Sequence, residues 1–196
     1  IDWNSTIRFG GNVLHQSIHP AALNAAESSN VNSIAVDTRQ GIDLSAYVSH
    51  EWKPFDRLSL IYGLRLNNFM VLGPGTFYDF DADGESTGEA NYGNEIVKQY
   101  LNIEPRFSAS FLLDERSSVK ASYNRIAQNL HQLTNTTSSL PTDQYVVSSL
   151  NIKPQIANQA AVGYFRNFMD NGYEFSMEAY YKYMQNQIDF RNGADL

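Results

Sequence analysis

Two alternations are superimposed along this chain, one in side-chain polarity and one in the length of the connections. Seven stretches read apolar–polar–apolar–polar: Thr6–Gln16, Ile42–Trp52, Leu58–Asn67, Leu101–Leu113, Ser118–Gln128, Gln155–Phe168 and Tyr173–Met184. A period of two marks strands with one dry and one wet face. Very short links (Lys53–Arg57, Asp114–Ser117, Met169–Gly172) alternate with long ones (Ser17–Gln40, Val71–Lys98, His131–Pro154). A soluble sandwich has no reason to gather its long loops at one end. A membrane barrel does, because its periplasmic turns are tight and its extracellular loops are long. The expected fold is all-β, an antiparallel up-and-down transmembrane β-barrel segment.

Composition agrees. The mean hydropathy of −0.39 and the lack of an apolar run near the ~18 residues of a membrane helix exclude a helical membrane protein. They leave a barrel open, since barrel strands are polar at every second position. Tyr 12, Phe 11 and Trp 2 are enough for interfacial girdles. The net charge of −7, without a Lys/Arg cluster, argues against nucleic acid as a partner. With no cysteine, disulfides and thiolate metal sites are excluded. Seven strands leave two open edges that lipid could not satisfy, and the chain opens on Ile1-Asp2-Trp3 without a leader. The expectation is an excerpt of a longer barrel.

The dry face collects Ile7, Phe9, Val13, Leu44, Val48, Trp52, Leu60, Leu64, Phe107, Phe111, Met177 and Tyr181. Arg65, Glu104, Arg106, Lys120, Glu178 and Lys182 fall on the wet face and would point into the lumen, as weak candidates for ligand contact. The sixth strand is ambiguous in register, and the reading favours Ala160, Val162 and Tyr164 outward. His50 breaks the dry face near a short turn, and Arg125 breaks it near the outer rim. Pro105 resists the scheme, since a mid-strand proline removes a ladder bond; a bulge is the usual escape.

Glu104-Pro105-Arg106-Phe107-Ser108, followed by Ala121-Ser122-Tyr123-Asn124-Arg125, resembles adjacent strands of a TonB-dependent outer-membrane receptor barrel. Asn151-Ile152-Lys153-Pro154-Gln155, leading to Val162-Gly163-Tyr164, is similar to a strand-start pattern of that family. Glu178-Ala179-Tyr180-Tyr181-Lys182, running on to Gln187-Ile188-Asp189, has the look of the Bacteroidetes-type receptors. The resemblance implies a roughly 22-stranded barrel whose lumen is filled by an N-terminal plug domain. Residues 1–196 then belong to a single barrel domain, with plug and barrel ends absent. It also implies a place in the bacterial outer membrane. The implied activity is uptake of a large nutrient (siderophore, cobalamin or glycan), energised by the TonB complex. A surface lipoprotein is a further possible partner.

Asp79-Phe80-Asp81-Ala82-Asp83-Gly84-Glu85 matches the front half of a calcium loop, but the closing position falls on Ala90. An acidic loop tip explains it as well. His15 and His19 lack a third ligand, and His50 and His131 look isolated, so no metal site and no cofactor are expected. Glu104 and Glu178 could form an acid–base pair, but solvating the lumen beside Arg106 or Lys182 is the simpler role. No nucleophile sits near a base, so no catalytic residue is assigned and an enzyme is not expected. Tyr78, Phe80, Tyr92 and Tyr145 could stack on a ligand or pack the loops together. The alternatives are a passive porin, an outer-membrane hydrolase and a soluble binding sandwich.

Overall fold

The computed structural model describes residues 4–19, 38–81, 84–133, 144–169 and 172–189. Seven long strands form one antiparallel sheet: β1 (Ser5–Ile18), β2 (Arg39–Phe55), β3 (Leu58–Leu72), β6 (Ile96–Asp114), β7 (Ser117–Gln128), β10 (Gln155–Phe168) and β11 (Tyr173–Gln185). They pair in the order β1-β2-β3-β6-β7-β10-β11, so neighbours in sequence are neighbours in space. The sheet is open in this chain. The second and third long connections are more structured than the sequence suggested. They carry two hairpins, β4 (Gly75–Phe80) with β5 (Ser86–Tyr92), and β8 (Leu130–Leu133) with β9 (Gln144–Val147).

Register explains why the polarity pattern holds across strands. One row runs Ile7, His50, Tyr62, Phe107, Tyr123, Ala160 and Tyr181. An adjacent row runs Arg8, Ser49, Gly63, Arg106, Asn124, Gln159 and Lys182. Successive residues point to opposite faces, so these rows define an apolar and a polar surface. The sixth predicted strand settles in the favoured register: Ala160, Val162 and Tyr164 lie in rows with Tyr123, Ala121 and Val119. The apolar face is bare; Phe9 is 80% and Met177 65% exposed. A contiguous exposed apolar face of this size marks a membrane or partner interface.

The tight turns climb relative to these rows. The β2–β3 turn closes on the pair Phe55–Leu58, and the Leu58 row continues through Phe111, Val119, Tyr164 and Met177. The β6–β7 turn closes at Ser117, two residues beyond Val119, and the β10–β11 turn at Phe168, four beyond Tyr164. The stagger is about one residue per strand. With a rise of ~3.4 Å and a strand spacing of ~4.8 Å, it tilts the strands by about 35°, the value a closing barrel needs.

Pro105 does not produce a bulge. It stays in register with Leu64, and the shifts in the long sheet lie elsewhere, at Trp52/Phe55, Val71/Leu72 and Leu112/Asp114. The proline instead terminates a ladder. The β6–β7 pairing stops at Arg106–Asn124, while β7 goes on pairing with β10 as far as Gln128. Glu104 repairs part of the loss: its Oε1 accepts a hydrogen bond from the Ala127 amide at 3.2 Å.

The buried core lies at the long-loop end, against the polar face. Phe69 and Val71 of β3 pack with Phe77 of β4 and Val147 of β9, and Tyr92, Tyr100 and Leu130 surround them. Gly41 makes room for this core, since a Cβ there would meet the Phe69 ring at 2.5 Å. The hairpins therefore fold inward over the polar face.

Candidate functional site

The six sequence-derived candidates share one face, in separate groups. Arg65 and Glu104 are direct cross-strand partners, and Arg106 lies beside them opposite Gly63. Glu104 is only 1% exposed; its Oε2 meets Arg106 Nη2 at 3.5 Å while its other oxygen holds the Ala127 amide. A buried carboxylate needs partners on both oxygens, and these two contacts supply them. Arg65 Nη2 donates to Ser45 Oγ at 3.1 Å. Together with Asn12, Ser45 and Ser49, and with the apolar Val48, Ile61 and Leu64, the two arginines line a groove of about 480 Å³. Tyr47 reaches over Gly10, where a Cβ would stand 2.8 Å from its ring.

Lys120 and Glu178 form a second group, each opposite Gly163 from neighbouring strands. The Lys120 ammonium sits 4.4 Å from the Phe165 ring centroid, and both charged residues line a shallow cavity of about 270 Å³. Lys182 stands farther along, opposite Gln159. What the first two groups offer is a polar wall that carries charges of both signs.

Sequence reasoning missed the polar network at the mouth. Asn67 Nδ2 donates to Asp43, and Asn129 Nδ2 reaches both Asp43 Oδ2 at 3.1 Å and Asn67 Oδ1 at 3.0 Å. Asn67 and Asn129 are buried, and these bonds satisfy the Asn67 carboxamide and the Asn129 NH₂, while Asn129 Oδ1 finds no partner. Two residues after Asn129, in β8, lies His131, and neither it nor His50 is isolated, as the sequence had suggested. His131 is 1% exposed, with Nε2 3.1 Å from Ser148 Oγ. Burial pushes its imidazole below the ordinary histidine range and keeps it neutral. His50, on the apolar face, has Ser5 Oγ 2.6 Å from Nε2 and Tyr62 Oη 2.7 Å from Nδ1, so its polar atoms are satisfied. Only periodicity was visible in the sequence, and contacts between residues this far apart carry no local signal.

The loop aromatics divide. Tyr92 packs edge-on against Phe77 at 5.5 Å in the mouth core, whereas Tyr78, Phe80 and Tyr145 are exposed. The acidic loop forms the tip of the β4–β5 hairpin. Asp79 pairs with Gly88, and Asp81 Oδ1 accepts from the Glu85 amide at 2.9 Å. Ala82 and Asp83 lie outside the described residues. Among the described residues no three His, Asp or Glu side chains converge as a metal site.

The comparisons agree with this geometry. The family model described as TonB dependent receptor-like, beta-barrel, matches residues 2–195. Among solved structures, the FrpB iron transporter from Neisseria meningitidis, F3-3 variant, aligns at TM-score 0.59 and 16% identity. That alignment covers 95% of this chain and 26% of the other. The F5-1 variant gives 0.56 and 16%, covering 93% and 26%. Its apoprotein form gives 0.58 and 16%, covering 95% and 28%. The chain thus spans about a quarter of the length of these structures. No curated protein matches it in sequence. The chain belongs to the TonB-dependent receptor β-barrel family, whose members reside in the bacterial outer membrane.

Proposed function

We propose that residues 1–196 form part of the wall of an energy-coupled importer that carries a large nutrient across the outer membrane. All of this chain belongs to the barrel domain in this reading, and a plug domain elsewhere in the full-length protein contacts the TonB complex. The family match carries the proposal. The polar face supports it, because fixed cations at Arg65, Arg106 and Lys120 suit a lumen traversed by polar cargo. The inward-folded hairpins at the mouth support a guarded passage over an open pore. The cargo belongs to the siderophore, cobalamin or glycan class. Ferric chelates come first for testing, since the fold neighbours are named as iron transporters. A surface lipoprotein is a candidate partner at the long-loop end.

The test is growth of the source bacterium on a limiting ferric siderophore, cobalamin or glycan. Deleting the gene should abolish growth on one of the three, and the full-length gene should restore it only when TonB is functional. Restoration without TonB, together with a steady conductance of the purified protein in planar bilayers, would establish a passive porin instead.

A further inference from the structure

The geometry points to a phosphate-binding site for an outer-leaflet lipid on the apolar face, formed by Arg125, Asn158 and Tyr183. These three residues are register partners in one row across β7, β10 and β11. The rows on either side, Tyr123–Ala160–Tyr181 and Ala127–Ile156–Gln185, contain no acid. Arg125 is therefore a cation on a hydrocarbon-facing surface with no anion in its own or the neighbouring rows. Arg166, also outward, is different. It lies opposite Ser117, which pairs with Asp114, so it has a carboxylate in its row beside the tight turn.

Depth gives the row its meaning. Arg125 stands eight residues beyond Ser117, the first residue of β7 after the tight turn. At ~3.4 Å per residue and a tilt of about 35°, it lies about 22 Å above that turn. Two strands on, Tyr183 lies ten residues beyond Tyr173, about 28 Å up by the same geometry. The row straddles the upper border of the ~25 Å apolar band, where lipid headgroups begin.

The donors are also oriented. Tyr123 Oη donates to Asn158 Oδ1 at 3.1 Å, which fixes the carboxamide and leaves its NH₂ available as a donor. A guanidinium, an amide NH₂ and the Tyr183 hydroxyl thus belong to neighbouring residues of one row on one face at headgroup height. Such a donor-rich set with one fixed charge matches a phosphate monoester. A merely snorkelling arginine would be indifferent to which headgroup it met.

The full-length protein, folded into phosphatidylcholine vesicles doped with lipid A or with enzymatically dephosphorylated lipid A, tests this. Lipid retained through detergent extraction is read by native mass spectrometry. Wild type should retain the phosphorylated form about tenfold better than Arg125→Gln, the effect of one charge-assisted contact. Asn158→Leu should lose several-fold, Arg125→Lys should keep a measurable preference for phosphate, and Arg166→Gln should match wild type. Equal retention of both lipids by wild type, or by wild type and Arg125→Gln, overturns the proposal. So does displacement by inorganic phosphate alone, which would assign the site to a soluble anion. Should Arg125→Gln not fold, Arg125→Lys and Asn158→Leu decide by the same comparison.

Discussion

An arginine scan along β11 tests the facing and the depth of every strand at once. Met177 lies on the apolar face in the row of Tyr164, and Ser176 lies opposite Phe165 on the polar face. Met177 is four residues from Tyr173, where the strand leaves its turn. Four steps of ~3.4 Å at a tilt of about 35° raise it about 11 Å, close to the middle of a ~25 Å apolar band. Met177→Arg should therefore cost ~2–4 kcal/mol, and Tyr173→Arg, at the interface, ~0–1 kcal/mol. Phe175→Arg, about 6 Å up by the same geometry, should fall between them. Ser176→Arg should cost little, because its side chain enters the wet interior. The assay is guanidinium unfolding of the full-length protein in phosphatidylcholine vesicles, followed by tryptophan fluorescence. A flat series from Tyr173 to Met177, or equal costs at 176 and 177, would refute the reasoning.

Three further outcomes are expected. Glu104→Ala should expose the Ala127 amide without a partner and strand Arg106, costing ~1–3 kcal/mol; hydrogen exchange at Ala127 should accelerate, while exchange at Ala121, deep in the intact ladder, should not change. Gly41→Val should force the fully buried Phe69 ring to move and cost ~1–3 kcal/mol, loosening the β4–β5 hairpin as read by exchange at Phe77. The His131 imidazole is depressed in the folded hairpin, so the unfolded hairpin takes up a proton more readily. Hairpin stability is thus full above the ordinary histidine pKa of ~6.5 and falls as pH drops through it. Exchange at Val147, corrected for its intrinsic pH dependence, should show this loss in wild type and not in His131→Leu.

The strands and their facing were legible because lipid on one side and water on the other impose a two-residue period that survives without knowledge of partners. Even the ambiguous register around Ala160, Val162 and Tyr164 resolved as the polarity favoured. The mouth was not legible. Asp43 and Asn129 are 86 residues apart, and their meeting depends on two long connections folding inward. The acidic residues at 79–85 read as a loop tip, and nothing local showed that β4 and β5 would pair on either side of it. For Pro105, the lost bond was foreseen and the remedy was not. A bulge is the local solution, whereas the chain ends the β6–β7 ladder at Arg106 and lets the Glu104 carboxylate accept from the Ala127 amide past that end.

The parting of β6 from β7 above Arg106 and Asn124 also works as a depth gauge built into the backbone. Amides and carbonyls released from a ladder need water, since hydrocarbon offers them nothing. Asn124 stands seven residues above Ser117, or about 20 Å by the barrel geometry, near the upper edge of the apolar band. The seam thus opens at about the height where water returns, and a proline is tolerated there that deeper in the wall would breach it.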